Sequence, residues 1–357
     1  MFSGIGAFEK AFERLGIPYE LVGYCEIDPF ASKAYSLIHG VPESMNFGDI
    51  TKLDEKKLPD GIDLVTYGFP CEDISIAGLQ KGLVDENGEK TRSGLFFDAL
   101  RIIGHTQPQV AIAENVKNLA SRKFSKQFSM ILDSLEAAGY NNYWKVLNAR
   151  DYEIPQNRER VLIVSIRKDI DTGIFQFPEP VQLKRCMGDL LEDEVPEKYF
   201  LSPEKLPSVE FSSFNLVHSA TIQVRAGTCK TLLARDHKDP KCIRVARDQR
   251  FTAAAYRGRY DKNGKARQHM EISGREYSNA LTTVQKDALV SNGSDVRKLT
   301  PKEYFRLMGF DDADVDLLAR NGISNSQLYS MAGKSIVVNM LEFLFCQIFD
   351  NNNEIWV

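Results

Sequence analysis

Three groups of residues in this chain could do chemistry. In Gly68-Phe69-Pro70-Cys71-Glu72-Asp73 a single cysteine follows the apolar, β-prone run 63–67 on a tight turn, where an α/β enzyme can present a nucleophile. A free thiol titrates near roughly 8.5, so attack on carbon needs a local push toward thiolate. A small buried hydrophobe would suit the same position equally well. Glu114-Asn115-Val116 directly follows the apolar run 110–113 and aims a second acid–base group at the same sheet edge. Gln156-Asn157-Arg158-Glu159-Arg160 precedes another apolar run and offers guanidinium forks to an anion or a carbonyl, with a structural Glu–Arg ion pair as the alternative.

A second constellation suits a nucleoside. Phe2-Ser3-Gly4-Ile5-Gly6 opens the first helix with glycines two apart, so a ligand can approach the backbone closely at the helix N-terminus. Glu26-Ile27-Asp28 lies about 20 residues downstream, where a carboxylate can hold ribose hydroxyls. Asp49-Ile50, after Gly48, can close an adenine pocket, one side chain accepting from an amino group and the other packing on the ring. With no third glycine and no nearby lysine, a nucleoside without phosphates fits better than a phosphate-bearing one.

The elements that must position these groups alternate short β-prone runs with amphipathic helices up to about residue 180, the pattern of a parallel sheet covered on both faces. The strand candidates are residues 21–25, 63–67, 110–113 and 161–166. Phe8, Ala11, Phe12 and Leu15, and again Leu95, Phe96, Ala99, Leu100 and Ile103, form helical stripes that belong to a core. Pro178 and Pro180 end this section, and periodicity is lost up to about residue 290. It resumes at Thr300-Pro301-Lys302-Glu303, a helix start with Thr as cap and Pro at the first position. Residues 335–349 are apolar almost all round and predict a buried last helix. The expected organisation is one discontinuous domain, residues 1–182 and 305–357, with residues 183–304 inserted.

Composition narrows the class. Of 357 residues, 43% are hydrophobic, 26% charged and 10% aromatic, which describes an ordinary soluble protein. No apolar run approaches the roughly 18 residues needed to span a membrane, and the N-terminus lacks an export signal. Six scattered cysteines without a Cys-x-x-Cys pair suggest neither a metal site nor a disulfide framework, and fit a reducing compartment. The net charge of −4 hides an asymmetry: residues 216–276 hold 14 Lys and Arg against 6 Asp and Glu, a net +8, leaving −12 elsewhere. That bias, interleaved with Phe251, Tyr256 and Tyr260, favours nucleic acid over a merely solvated face.

Taken in order, these motifs resemble the prokaryotic DNA cytosine-5 methyltransferases along essentially the whole chain. The family's Phe-x-Gly-x-Gly matches Phe2 to Gly6, its Pro-Cys turn Pro70-Cys71, its Glu-Asn-Val Glu114 to Val116, and its Gln-x-Arg-x-Arg Gln156 to Arg160. Arg92-Ser93-Gly94-Leu95-Phe96-Phe97-Asp98, the stretches from Arg297 to Glu303 and Arg306 to Phe310, and Ala332-Gly333-Lys334-Ser335 follow in the family's order. The resemblance implies a Rossmann-like S-adenosylmethionine-dependent domain with a smaller inserted target-recognition domain. It implies methyl transfer to C5 of a flipped cytosine in a short duplex DNA sequence, through a covalent cysteine–C6 intermediate.

By the same likeness Cys71 is the nucleophile, Glu114 the proton donor at N3, and Arg160, with Arg158 close by, the brace. The cofactor would touch Phe2, Gly4, Ile5, Gly6, Glu26, Ile27, Asp49, Ile50, Pro70 and Ser335. DNA would touch Glu72, Ser75, Arg225, Arg257, Arg259 and Thr282. The expected setting is a monomer in a bacterial or phage-infected cytoplasm, with double-stranded DNA as partner, no metal, and room for a cognate restriction endonuclease at the same locus. A tRNA cytosine-5 methyltransferase and a catalytically impaired DNA-binding module are the alternatives. The chain departs from the family at Glu72, where Gln is usual, and at Lys334, where Asn is usual. It also starts inside the first motif, so the first strand is expected to be supplied by other residues, impaired, or preceded by a different start.

Overall fold

The computed structural model describes residues 1–71, 73–74, 82–85, 88–200, 252–260, 266–272, 277–281, 289–291 and 296–349. The chain forms two units, one of residues 1–185 with 280–283 and 301–357, the other of residues 186–279 with 284–300.

The larger unit is built on a four-stranded sheet. Its strands are β1 (Leu64–Tyr67), β2 (Val110–Val116), β3 (Tyr140–Asn148) and β4 (Glu159–Arg167), in the order β1-β2-β4-β3. β2 lies inside the sheet, and its first four residues, Val-Ala-Ile-Ala, are all buried, as expected of a strand covered on both faces. β1 runs parallel to it, Leu64 opposite Val110, and a parallel pair needs a crossover, which contains helix Phe96–Thr106. Phe96, Ala99 and Ile103 of that helix pack with Val65, Tyr67, Ala111 and Ala113 in one core.

Two expectations about this sheet are corrected. Only β1 and β2 are parallel, because β4 is antiparallel to both β2 and β3. The short connection over residues 149–158 reverses the chain between β3 and β4 without a crossover. Residues 21–25 are not a sheet strand: Tyr24 makes one isolated parallel bridge to Asn46, and the Cys25 carbonyl accepts from the Ser3 amide at 3.0 Å. A cavity of about 480 Å³, lined among others by Leu21, Gly23, Cys25, Leu64 and Thr66, separates this segment from β1, so no ladder can form between them. Met1 closes one end of that gap, its amino group donating to the Thr66 carbonyl at 2.6 Å.

The helices that cover this unit follow the apolar stripes. α1 (Ala7–Leu15) lays Phe8 and Phe12 on α8 (Val338–Phe349), with Phe12 stacked on Phe345 at 4.3 Å between ring centres. Lys10 of α1 is buried and pairs with Asp311 and Asp314 at 3.0 and 2.9 Å. A helix starts at Pro301, where the cap pattern places it. The stretch Asn325–Phe349 is long and apolar enough by composition to cross a membrane, but 61% of its apolar window is buried in the protein, as in a core helix. α8 begins at Val338, three residues inside the predicted range.

The smaller unit carries an antiparallel sheet of its own: Thr252–Tyr260 pairs with Ala266–Ile272 as neighbouring strands, and Leu289–Ser291 and Val296–Lys298 extend the sheet on the other side. This hairpin lies where the sequence showed no periodicity.

Phe345 is fully buried against α1, whereas Phe30 is 47% exposed. Phe345→Ala is therefore expected to lower stability to denaturant by about 3–5 kcal/mol, and Phe30→Ala by no more than about 0.5 kcal/mol. Equal effects would contradict the α1–α8 packing as a main source of stability.

Candidate active site

The turn after β1 is fixed at both ends by backbone bonds. Phe69 is buried in the core, and its carbonyl accepts from the Asn115 side-chain amide at 3.0 Å, which ties the turn to the end of β2. The Gly68 amide donates to the Met1 carbonyl at 3.4 Å. Cys71 follows, partly buried and unpaired, with its carbonyl accepting from Ile74 at 3.0 Å. Asp73 is buried and exchanges bonds of 3.3 Å with Ser93, so the stretch after the thiol is anchored to the segment that leads into helix Phe96–Thr106. Asn115 and Ser93 belong to motifs already noticed; their anchoring role has no signature in one sequence.

Glu114 stands near the end of β2, beside Gly68, whose Cβ position would lie 3.6 Å from Glu114 Oε2. Arg160 is in register with Val116, and its Nε lies 2.9 Å from Glu114 Oε1, with only 16% and 12% of the two side chains exposed. Burial pushes the Glu114 carboxyl above its usual range, and Arg160 and Arg158 pull back only in part. The Cys71 thiol is also pushed up, by burial first and then by the Glu114 charge, against the pull of Arg160. The pair thus holds a carboxyl that keeps its proton to higher pH than a surface glutamate, beside a thiol that is not pre-ionised.

Arg158 does a different job. It is fully buried, and its two terminal nitrogens donate to the carbonyls of Leu281 at 3.0 Å, Gly333 at 3.0 Å and Ser335 at 2.7 Å. Burial and the Arg160 charge push its guanidinium down to about 9, which leaves it protonated at neutral pH. Gln156 works beside it, donating to the Leu307 carbonyl at 2.8 Å and accepting from the Leu281 amide at 3.1 Å. The structure brings Arg160 to Glu114, and directs Arg158 to backbone.

The glycine loop and the acidic cluster are joined directly. Glu26 accepts from the Gly4 amide and from the Asp28 amide, each at 2.9 Å. Asn46, which the sequence did not single out, fixes Glu26 from behind: it accepts from the Glu26 amide at 3.0 Å and donates to the Glu26 carbonyl at 2.8 Å. Gly4 has φ +55° and nothing within 4 Å of its missing side chain, so its backbone is open to a ligand. Ile27 is 75% exposed beside it. Asp49 caps a short helical turn through Thr51, and these bonds lower its carboxyl below the ordinary range.

Ile5 and Ile50 are buried, so their side chains support the loops from within rather than face an open pocket. The Ser335 hydroxyl donates to the Ile336 carbonyl at 3.2 Å, and Lys334 reaches Asp28 at 4.0 Å. A cavity of about 50 Å³ is lined by Phe2, Gly4, Gly68, Glu114, Lys334 and Ser335, so the glycine loop and Glu114 border the same space. Pro70 lies next to Cys71 and is partly buried. Of the expected DNA contacts, Glu72, Ser75, Arg225 and Thr282 lie outside the described residues. Arg257 and Arg259 are on strand Thr252–Tyr260, opposite His269 and Arg267.

The thiol turn, the buried carboxyl–guanidinium pair and the open glycine loop lie in one α/β unit, and the chain is a transferase. The chain belongs to the C-5 cytosine-specific DNA methylases, whose family model matches residues 1–350. It is 32% identical over 400 residues to the type II methyltransferase M2.ScrFI of Lactococcus lactis subsp. cremoris, covering 98% of this chain and 97% of that one. It is 31% identical over 354 residues to the type II methyltransferase M.HhaI of Haemophilus parahaemolyticus, covering 99% and 94%. The solved Dnmt2 methyltransferase of S. pombe shares the fold at a TM-score of 0.61, with 19% identity over 99% of this chain and 98% of that one. The enzyme transfers a methyl group from S-adenosylmethionine to C5 of cytosine in DNA.

The charges around Cys71 give a signed prediction for its alkylation by iodoacetamide as pH is raised. Glu114→Gln removes a charge that raises the thiol, so the midpoint of alkylation moves to lower pH. Arg160→Met removes one that lowers it, so the midpoint moves to higher pH. Unchanged midpoints in both variants would show that Cys71 does not feel this pair.

Proposed function

We propose that Cys71, Glu114 and Arg160 carry out the methyl transfer. Cytosine resists attack at C6 unless electron density moves toward N3. The thiolate of Cys71 adds to C6 while Glu114 gives a proton to N3 and Arg160 orients the carboxyl. C5 then has enamine character. Bound S-adenosylmethionine would supply an electrophilic methyl group for C5, its positively charged sulfur keeping the bonding pair as the thioether. A base, water included, removes the C5 proton, the electron pair expels Cys71 as thiolate, and N3 returns its proton to Glu114.

What carries this reading is the buried Glu114–Arg160 pair, whose carboxyl is pushed up and whose Glu114 lines the same cavity as Gly4. A carboxyl meant only to pair with arginine would be held down instead. On the cofactor side we assign Glu26 to the ribose hydroxyls, Asp49 to the adenine amino group and Phe2 to the adenine face. Gly4, Gly6, Ile27, Pro70 and Ser335 complete the walls, with Ile5 and Ile50 as buried support. Arg158 acts as a positioning residue.

Residues 183–304 are assigned to target recognition, with their excess of Lys and Arg mostly gripping phosphate and a few side chains reading bases. Arg225, Arg257, Arg259 and Thr282 are the assigned contacts there, and Glu72 and Ser75 the contacts next to the thiol. We infer that the enzyme works as a monomer on cytoplasmic duplex DNA, with room for a cognate restriction endonuclease at the same locus; the type II names of two relatives support that setting.

Methylation of a random duplex followed by bisulfite mapping should show 5-methylcytosine in one short sequence. Cys71→Ser should fall below about one-thousandth of that activity, and a duplex with 5-fluorocytosine in the target should form a covalent adduct with the wild type at Cys71. Unreduced transfer by Cys71→Ser, or active enzyme without the adduct, would overturn the assignment.

A further inference from the structure

His39 ends helix Pro29–His39, and its side chain is completely enclosed. Its Nδ1 lies 2.5 Å from Glu13 Oε1, and its Nε2 lies 3.1 Å from the carbonyl oxygen of Ile5, the middle residue of the glycine turn. A carbonyl oxygen only accepts, and an ionised carboxylate only accepts. A neutral imidazole has one N–H, so one ring nitrogen would turn a lone pair toward an acceptor. Only the imidazolium donates to both. The ring also fills the space next to Gly6, where a Cβ would lie 2.1 Å from Nε2, and Gly6 has φ +76°. The turn is therefore gripped from two sides: Glu26 holds the Gly4 amide, and His39 holds the Ile5 carbonyl.

We propose that His39, as an imidazolium, is a positioning residue that sets the shape of the Gly4-Ile5-Gly6 turn for S-adenosylmethionine, so that cofactor affinity weakens when His39 loses its proton. The inference rests on the glycine turn being the cofactor site. The groups facing the ring agree with a charged state. Glu13 and Glu9 approach from α1, and Tyr35 of its own helix lies with its ring centre 4.6 Å away. Lys10, 4.0 Å from Glu13, is engaged by Asp311 and Asp314. His39 also sits in the last turn of its helix, where the dipole favours positive charge. Burial opposes protonation, but the Glu13 bond, the Glu9 charge and the Ile5 carbonyl outweigh it, and the ring is held above its ordinary value. Because the shift is upward, the grip is complete below the ordinary histidine range and is lost as pH rises through the raised value.

The test uses the full chain and calorimetric titration with S-adenosylmethionine between pH 6 and about 9.5, a range that spans the ordinary histidine value. Imidazole ¹⁵N shifts of the wild type should show both His39 nitrogens protonated at neutral pH. Wild-type affinity should weaken about tenfold across the upper part of the range, the size expected for one charge-assisted hydrogen bond. His39→Gln, which keeps a donor but cannot titrate, should bind with an affinity that lacks this component of the pH dependence. A neutral His39 tautomer at pH 7, or a pH profile in His39→Gln identical to wild type, would overturn the proposal, and the ¹⁵N result decides even if the variant fails to fold. Glu26→Ala separates the two layers: unchanged binding there would refute the cofactor site itself, whereas impaired binding there with an unaltered His39→Gln profile would refute only His39.

Discussion

Glu114 and Arg160 are held 2.9 Å apart where little water reaches them, and the sheet keeps them there. Such a pair is a poor source of stability, because the desolvation of both ions opposes their attraction. Burial accordingly pushes the Glu114 carboxyl above its ordinary range. The fold bears it through register. β2 and β4 are matched from Val110 opposite Ile166 to Val116 opposite Arg160, and Glu114 shares a face with Val116. A slip of one residue would carry Arg160 to the other face of the sheet. The buried Val, Ile and Leu residues along β2 and β4 forbid that slip, so the apolar core and the active pair are set by one ladder.

Arg158 shows a second use of the same chemistry. Two positions before Arg160, its guanidinium meets carbonyls instead of a carboxylate, and binds three of them from Leu281, Gly333 and Ser335. Those carbonyls are far from Arg158 in sequence, so this one cation gathers the C-terminal segment onto the sheet edge. Lys334 lies between two of the carbonyls Arg158 holds. Its departure from the family's usual asparagine is matched by a partner, since its ammonium reaches Asp28 on the cofactor side.

Much of this was legible in the sequence because it depends on short-range chemistry. The Cys71 turn, the buried strand before Glu114 and the glycine-led start of α1 each follow from residue type and spacing. β3 was not legible, because Tyr-Asn-Asn-Tyr-Trp-Lys-Val-Leu-Asn is half polar, as an edge strand with a single neighbour can be. The reversed direction of β4 was missed for a different reason: strand direction depends on how the connection turns, not on the apolar run itself. Residues 21–25 read as a strand by propensity, yet propensity cannot supply a ladder partner across a 480 Å³ gap. Asn46 and His39 left no local trace because each acts through backbone atoms distant in sequence.

As the proposed cofactor site, the glycine turn limits which cofactor fits. A turn built for phosphate leaves amides free at the helix N-terminus to meet the anion. Here the Gly4 amide is taken by Glu26 and the Gly6 amide by the Ser3 carbonyl at 2.9 Å, so neither is left for a phosphate. The Glu26 carboxylate is bonded to that turn, and Glu114 lines the same cavity as Gly4. A phosphate-bearing nucleotide would bring negative charge toward these acids. A nucleoside that carries a sulfonium brings positive charge instead, so the arrangement that rejects a dinucleotide suits the methyl donor.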